Sequence, residues 1–362
     1  MITIDGSRLS GSGTIVRDAL PFAALSEQSV RITNIRANRT KPGLRPQHLT
    51  AVRAIATITG GQLHGDRKGA TEISFEPGDD IRGGEFAWDI GTAGSTTMLA
   101  MSLLPLGLFA GSSSYHRITG GLFQDYAPTA YHMQYVLVPQ LRRMGIEVEI
   151  NIRRPGYFPR GGGILDVTVN PVRREITPFR IRKPGEFGVV RGISLASHLS
   201  DRNVAQRMAR TCDEKLWNAG MRAHLEIVDD QHDVPAYEQA APQPGAALAI
   251  WCGAESGALL GADMAGARGR PAEQIGNNVA HSLVADMNSG ATTDRHLADQ
   301  LIPFAALAAG LSEYRVPVVT DHVETRLWLV SHLLGADYDL SGESIRIHGV
   351  GYARNEVSKP GR

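Results

Sequence analysis

Cysteine is nearly absent from this chain. Of 362 residues only Cys212 and Cys252 carry thiols, and neither has a Cys-x-x-Cys partner. A disulfide framework and a zinc knuckle are therefore excluded. A charge surplus is missing too, since 37 Lys and Arg balance 37 Asp and Glu. Proteins that grip long duplex DNA carry a basic excess, so no duplex DNA partner is expected, and any nucleic-acid contact must be local, at an end or in one cleft. No apolar run is long enough to cross a bilayer, so no membrane partner is expected. Met1-Ile2-Thr3-Ile4-Asp5 shows no basic segment followed by an apolar stretch, so no signal peptide is expected and the cytoplasm is the expected location. No Gly-Lys-Ser/Thr ending marks a P-loop. What remains is an ordinary globular composition, 42% hydrophobic and 20% charged, at a length that suggests about two domains.

The most informative pattern is internal repetition. Arg17–Leu25, Ser102–Phe109 and Gln300–Leu307 are apolar, helical in character, and carry Pro21, Pro105 and Pro303 at the same place. Proline there kinks a helix or limits its hydrogen bonding. Each follows small polar residues: Ser10–Thr14, Gly91–Ser95 and Ser289–Thr293. After each come a short strand (Val30–Thr33, His116–Thr119, Tyr314–Pro317), a polar loop and a second helix ending near Gly60, Gly145 or Gly335. Alternating strands follow, such as Ile146–Ile150 and Ser344–Ile347.

Eighty-four residues separate Pro21 from Pro105, but 198 separate Pro105 from Pro303. The excess is the size of one small domain. Residues 1–179 and 284–362 are expected to form the repeat-built part, with residues 180–283 as an inserted α+β domain. Within the insert, Asp201–Ala219 reads as a helix with Val204, Met208, Cys212, Leu216 and Trp217 on one side. Strands are expected at Gly188–Ser197, His224–Val228 and Ala246–Cys252, a loop at Asp233–Pro244, and a returning helix near Pro271–Met287.

Repeats of this kind place equivalent loops around a common centre. The first loop, Arg36 to His48, holds Arg36, Arg39, Lys41 and Arg45 in a stretch stiffened by Pro42, Gly43 and Pro46. Stiffly held guanidiniums suit polyphosphate, because the planar fork binds two oxygens; a solvated basic turn is the plainer reading. The second loop, Gly120 to Pro128, offers flat surfaces at Phe123, Tyr126 and Pro128, where a base or sugar can stack, although core packing accounts for such residues equally. The third, Val319 to Thr325, holds His322. A neutral imidazole nitrogen can attack the α-phosphorus of ATP. Its competitors are His48 beside the cationic loop, His296 between carboxylates, and His332, which reads as a packing residue on the next helix.

Gly156-Tyr157-Phe158-Pro159-Arg160-Gly161-Gly162-Gly163 resembles the glycine-rich signature of RNA 3′-terminal phosphate cyclases, and the resemblance runs through Asp5-Gly6, Arg39–Thr50, Gly91–Ser95, Leu297–Leu301 and His322–Thr325. It implies an α/β (α+β) fold of three βαβαββ-type repeats, as in enolpyruvyl transferases, with a smaller inserted α+β domain. It also implies a ligase-type activity: ATP adenylylates a histidine, AMP passes to an RNA 3′-phosphate, and the 2′-OH expels AMP to leave a 2′,3′-cyclic phosphate. Matched residue by residue, the nucleophile is His322. The phosphate contacts are Arg17, Arg39 and Gln47, and the nucleoside pocket is Pro128, Asp299 and Gln300, with His296 where the family has a stacking tyrosine. Ser10 stands where a metal-associated glutamate is usual, Met101 replaces a glutamine, and Leu122–Asp125 replaces the family's Thr-Asp-Asn-Pro. ATP is the expected cosubstrate, with a divalent ion (Mg or Mn) whose ligands are not assigned. The expected partner is an RNA 3′-phosphate end. Two other readings are a divergent adenylyltransferase acting on another phosphate or an acid, and a non-catalytic cyclase-like RNA-processing factor. His322 argues against the second of these.

Overall fold

The computed structural model describes residues 1–229 and 236–353. The chain opens with β1 (Ile2–Asp5), α1 (Gly13–Leu25), β2 (Val30–Thr33), α2 (Pro46–Thr59), β3 (Gln62–His64) and β4 (Ile73–Glu76). These strands form a sheet of order β1-β2-β4-β3, with one parallel pair followed by two antiparallel ones. Next come β5 (Gly84–Asp89), α3 (Thr96–Gly107), β6 (Ser114–Gly120) and α4 (Ala130–His132). A π-helical turn, Met133–Leu137, carries α4 into α5 (Val138–Arg143), which precedes β7 (Val148–Arg154) and β8 (Gly163–Val169). This second sheet has the order β5-β6-β8-β7 and the same parallel–antiparallel sequence of pairs.

After β9 (Arg180–Ile181), the chain forms β10 (Val190–Ser197), α6 (Val204–Asn218), β11 (Ala223–Asp229), β12 (Gly245–Gly253), β13 (Leu259–Ala265) and α7 (Ala272–Asn288). Their sheet, β11-β10-β12-β13, is covered by α6 and α7, which also pack on each other. The last segment holds α8 (Leu297–Gln300), α9 (Ile302–Leu307), β14 (Ala309–Arg315), α10 (Asp321–Leu334), β15 (Asp337–Ser341) and β16 (Ser344–Val350). Its sheet recruits β9 from before the intervening unit, giving β15-β16-β14-β9, with β9 parallel to β14. Arg180 and Ile181, at the start of the expected insert, thus pair with Glu313 and Tyr314. At its other end, α7 runs on to Asn288.

The core centres on α1. Every one of its residues is buried, and it packs against α2, α3 and α10. Ile15, Val16, Leu20 and Phe22 are wholly buried, and Thr14, Arg17 and Asp18, spaced three and four residues apart, give the same buried helix one polar face. Pro21 and Pro105 lie inside α1 and α3, while Pro303 sits in the first turn of α9. Proline lacks the N–H needed to continue a helix, and the third apolar helix is accordingly divided into α8 and α9. Among the described residues no helix is long and apolar enough to cross a membrane.

Two local expectations change. Trp217 is 69% exposed, because the buried stripe of α6 runs through Met208, Cys212 and Leu216 and the next residue turns about 100° away from it. The strand expected at Tyr314–Pro317 begins earlier, at Ala309, since β16 pairs with it along seven residues. Of the loop expected at Asp233–Pro244, the first three residues lie outside the described ones.

Gly276 sets the approach of α7 to α6: a Cβ there would come within 2.6 Å of the Met208 carbonyl oxygen and 3.0 Å of the Cys212 amide. Alanine is ordinarily the better helix former by about 1 kcal/mol. Here Gly276→Ala is expected to destabilise the protein instead, by about 1–3 kcal/mol from overpacking. Urea unfolding monitored by fluorescence measures this, and a higher midpoint in the variant would contradict the close approach.

Candidate active site

The eight residues singled out in the sequence, Arg17, Arg39, Gln47, Pro128, His296, Asp299, Gln300 and His322, all line one cleft of about 970 Å³. The cleft is built from helix starts. Ser12 caps α1, its hydroxyl accepting from the Thr14 N–H, and Ser95 caps α3 in the same way through the Met98 N–H. Thr320 caps α10 by accepting from Val323 N–H. His322 therefore occupies the first turn of a helix and not a free loop, and Gln47 holds the corresponding position in α2.

The His322 Nδ1 lies 3.0 Å from Thr14 Oγ1, and the Arg17 guanidinium reaches the same hydroxyl at 3.5 Å. Nε2 has no hydrogen-bond partner among the described residues. Burial lowers the His322 pKa below the ordinary histidine value, helped by Arg326, Arg17 and Arg39 and opposed by Asp299. The ring is neutral at pH 7.

Arg17 is only 6% exposed, and no carboxylate pairs with it among the described residues. Burial lowers its pKa to about 10, and nearby Arg326 acts in the same direction. A buried, charged guanidinium without an anion is costly, so the cleft is built to receive one. Its neighbour Asp18 is taken by Arg326, whose Nε donates to Asp18 Oδ2 at 2.7 Å while Nη1 lies 2.8 Å from Asp299 Oδ2. In the cationic loop, Arg36 spends its guanidinium on the Lys41 and Gly43 carbonyls at 2.7 and 2.9 Å. Arg39 is exposed and lines the cleft. Gln47 Oε1 accepts from the Ser95 N–H at 3.0 Å, which ties α2 to the start of α3.

Met98, Met101, Met133 and Pro128 give the cleft an apolar part of its lining. The Gln300 Oε1 is buried with no partner. His296 stands edge-on to His132, with ring centroids 5.7 Å apart, and its Nε2 lies 4.0 Å from Asp263 of β13. His132 Nε2 in turn meets the Asp294 carboxylate at 3.1 Å. Burial pushes Asp294 upward, but His132 and backbone N–H groups outweigh it and bring its pKa down to about 2.

Among the rival histidines, His48 is buried in the first turn of α2 and lines the cleft, its pKa held well below normal by burial and the surrounding arginines. His332, expected to pack, stacks on Trp328 at an exposed position away from the cleft. Ser10 does not line the cleft, and its hydroxyl pairs with Ser12. The cleft carboxylates Asp125 and Asp299 are both engaged by arginines. Among the described residues no group of three His, Cys, Asp or Glu could hold a metal ion. The donor set does not fit a divalent ion held by the protein alone.

Sequence reasoning missed Thr14 and Arg326. Thr14 lay in a stretch read as small and polar, where nothing distinguished it from Ser10 or Ser12. Arg326 follows His322 by one helical turn, and that i, i+4 spacing was the available signal.

The glycine signature acts at the edge of this site. Gly156 and Gly163 let two backbones cross so closely that a Cβ on either would fall about 2.3–2.5 Å from the other's main chain, and Gly161 and Gly162 take φ of +73° and +67°.

The family described as RNA 3′-terminal phosphate cyclase matches residues 8–340. The RNA 3′-terminal phosphate cyclase of Staphylothermus marinus is 39% identical over 362 aligned residues, covering 97% of this chain and 99% of that protein. Those of Caldivirga maquilingensis and Archaeoglobus fulgidus are each 38% identical, covering 94% and 96% of this chain and 94% and 100% of theirs.

Arg326→Met leaves Asp18 and Asp299 facing each other without their common partner. The variant is expected to lose about 3–5 kcal/mol of stability, measurable as a lowered chemical-denaturation midpoint. A loss under about 1 kcal/mol would mean that water screens the triad as it does a surface pair.

Proposed function

Because this chain belongs to the RNA 3′-terminal phosphate cyclase family, we propose that it is an ATP-dependent cyclase of RNA 3′-phosphate ends that works through a His322–AMP intermediate. The observation that carries the reading is the pairing of a neutral histidine, held at Nδ1, with a buried guanidinium that lacks an anion in the same cleft.

When Thr14 Oγ1 accepts the Nδ1 proton, the lone pair sits on Nε2. Nε2 attacks the α-phosphorus of ATP, the bond to the bridging oxygen breaks, and pyrophosphate leaves. Arg17 and Arg39 neutralise the phosphates, and Gln47 orients them from the start of α2. Pro128, His296, Asp299 and Gln300 surround the nucleoside. An oxygen of the RNA 3′-phosphate then attacks the AMP phosphorus and frees His322. Finally the adjacent 2′-OH attacks the RNA phosphorus, its proton is lost, and AMP departs as the cyclic ester closes. No step is assigned to a metal.

The matching order of the β1-, β5- and β9-containing sheets supports reading them as three βαβαββ units, as in enolpyruvyl transferases. On the same grounds residues 182–290 make the better outline of the inserted α+β domain. Two buried, unpaired thiols fit a cytoplasmic enzyme.

Mass spectrometry after incubation with ATP is expected to show one AMP on His322 and none in His322→Ala. AMP on another residue, or full labelling of that variant, would overturn the mechanism. Arg39→Ala is expected to weaken ATP use by about 1.5–3 kcal/mol, and Arg36→Ala less, because Arg36 is committed to its own loop. Equal kinetics for the two would sink the assignment. The lowered His322 pKa sets the sign of the pH dependence. Protonation removes the nucleophile, so single-turnover adenylylation should fall as pH drops, with its midpoint below the ordinary histidine value of about 6.5. A midpoint at or above 6.5 would show that Nε2 is not the titrating nucleophile.

A further inference from the structure

Two aromatic side chains stand at the cleft without serving the fold. Tyr126 is fully exposed and Phe158 is 74% exposed, although the neighbouring Phe123, Tyr131 and Tyr157 are buried. Both line the cleft that holds His322, Arg17 and Arg39.

Their exposure is built in. Asp125, next to Tyr126, is gripped by both Nη atoms of Arg270 at 2.9 and 2.8 Å, and Tyr126 itself adopts φ +65°. A non-glycine residue in that region is uncommon and marks a constrained backbone. Phe158 follows Tyr157, whose ring lies on Phe123 at 5.7 Å and whose hydroxyl meets Ser197 at 2.9 Å. The Tyr157 carbonyl accepts from the Gly161 N–H at 2.7 Å and from Gln243 Nε2 at 2.8 Å. A bridge between Phe123 and Tyr157 makes the two turns spring from adjacent backbones.

Rigidly presented flat faces beside unpaired cations are what unpaired nucleic acid requires, with bases on rings and phosphates on guanidiniums. An acidic peptide would use the arginines but has no use for two bare rings. We propose that Tyr126 and Phe158 form a stacking platform for the unpaired bases immediately 5′ of the reacting RNA end, so that single-stranded 3′ ends are accepted over paired ones. This rests on the cyclase reading only for the chemistry of the end, because stacking can be measured without turnover.

The test is fluorescence anisotropy with a 5′-fluorescein-labelled, unpaired RNA oligonucleotide ending in a 3′-phosphate. Phe158→Ala and Tyr126→Ala should each raise its Kd roughly tenfold, and Phe158→Trp should restore binding. A blunt duplex bearing the same terminal phosphate should bind the intact protein and both alanine variants alike. Circular dichroism confirms that the variants are folded. Unchanged Kd for unpaired RNA in both alanine variants, or no RNA binding by the intact protein, would overturn the platform. Cyclisation is followed separately on the same preparations. Aromatic-dependent binding without cyclisation would count against the catalytic reading alone, and cyclisation with no aromatic dependence of binding would count against the platform alone.

Discussion

A single buried guanidinium decides how charge is distributed around the cleft. Arg326 projects from α10 and takes Asp18 of α1 and Asp299 of α8 together. Removing three such ions from water costs several kcal/mol each, and only good geometry offsets it. The arrangement fixes three helices that are far apart in sequence. It also occupies Asp18 and Asp299, the two carboxylates whose charge acts on Arg17. The unpaired positive charge at Arg17 is therefore a by-product of a structural ion triad centred one helical turn after His322.

A second tie joins β13 to the segments around α4 and α8. Asp294 accepts from His132 of α4 and from the Gly261 amide of β13, while Asp263 accepts from the Thr129 amide at the start of α4. His296 sits between these carboxylates. Burial alone would discharge His132, but Asp294, with Asp263 and Asp299, more than offsets it and raises its pKa. The cleft wall that carries Pro128 and His296 is thereby shared by three sequence segments, and its position depends on all of them.

Much of this was legible in the sequence, for a physical reason. Proline placement and glycine helix stops recur because backbone geometry admits few substitutes, so α1, α3 and the ends of α2 and α10 could be read directly. Arg39, His296 and His322 stand out by their loops, whereas Arg17, Gln47, Asp299 and Gln300 are found through a resemblance, since nothing in the composition links Gln47 to His322. What escaped reading depends on three-dimensional phase. Trp217 was placed on the buried side of α6 because it neighbours Leu216, yet one step around a helix is enough to reach solvent. Thr14 and Arg326 escaped because a hydroxyl among serines and an arginine in a helix acquire their roles only from partners about 308 positions away.

The placement of β9 has a kinetic meaning. Its partner β14 is delivered only after the whole intervening unit has been made, and closing a loop of that length must precede any reward from the pairing. The first two sheets and the intervening unit draw on contacts nearer in sequence. On a ribosome the sheet that contains β14 is thus the last to close, and His322 takes its place only after the walls built from the first two sheets exist.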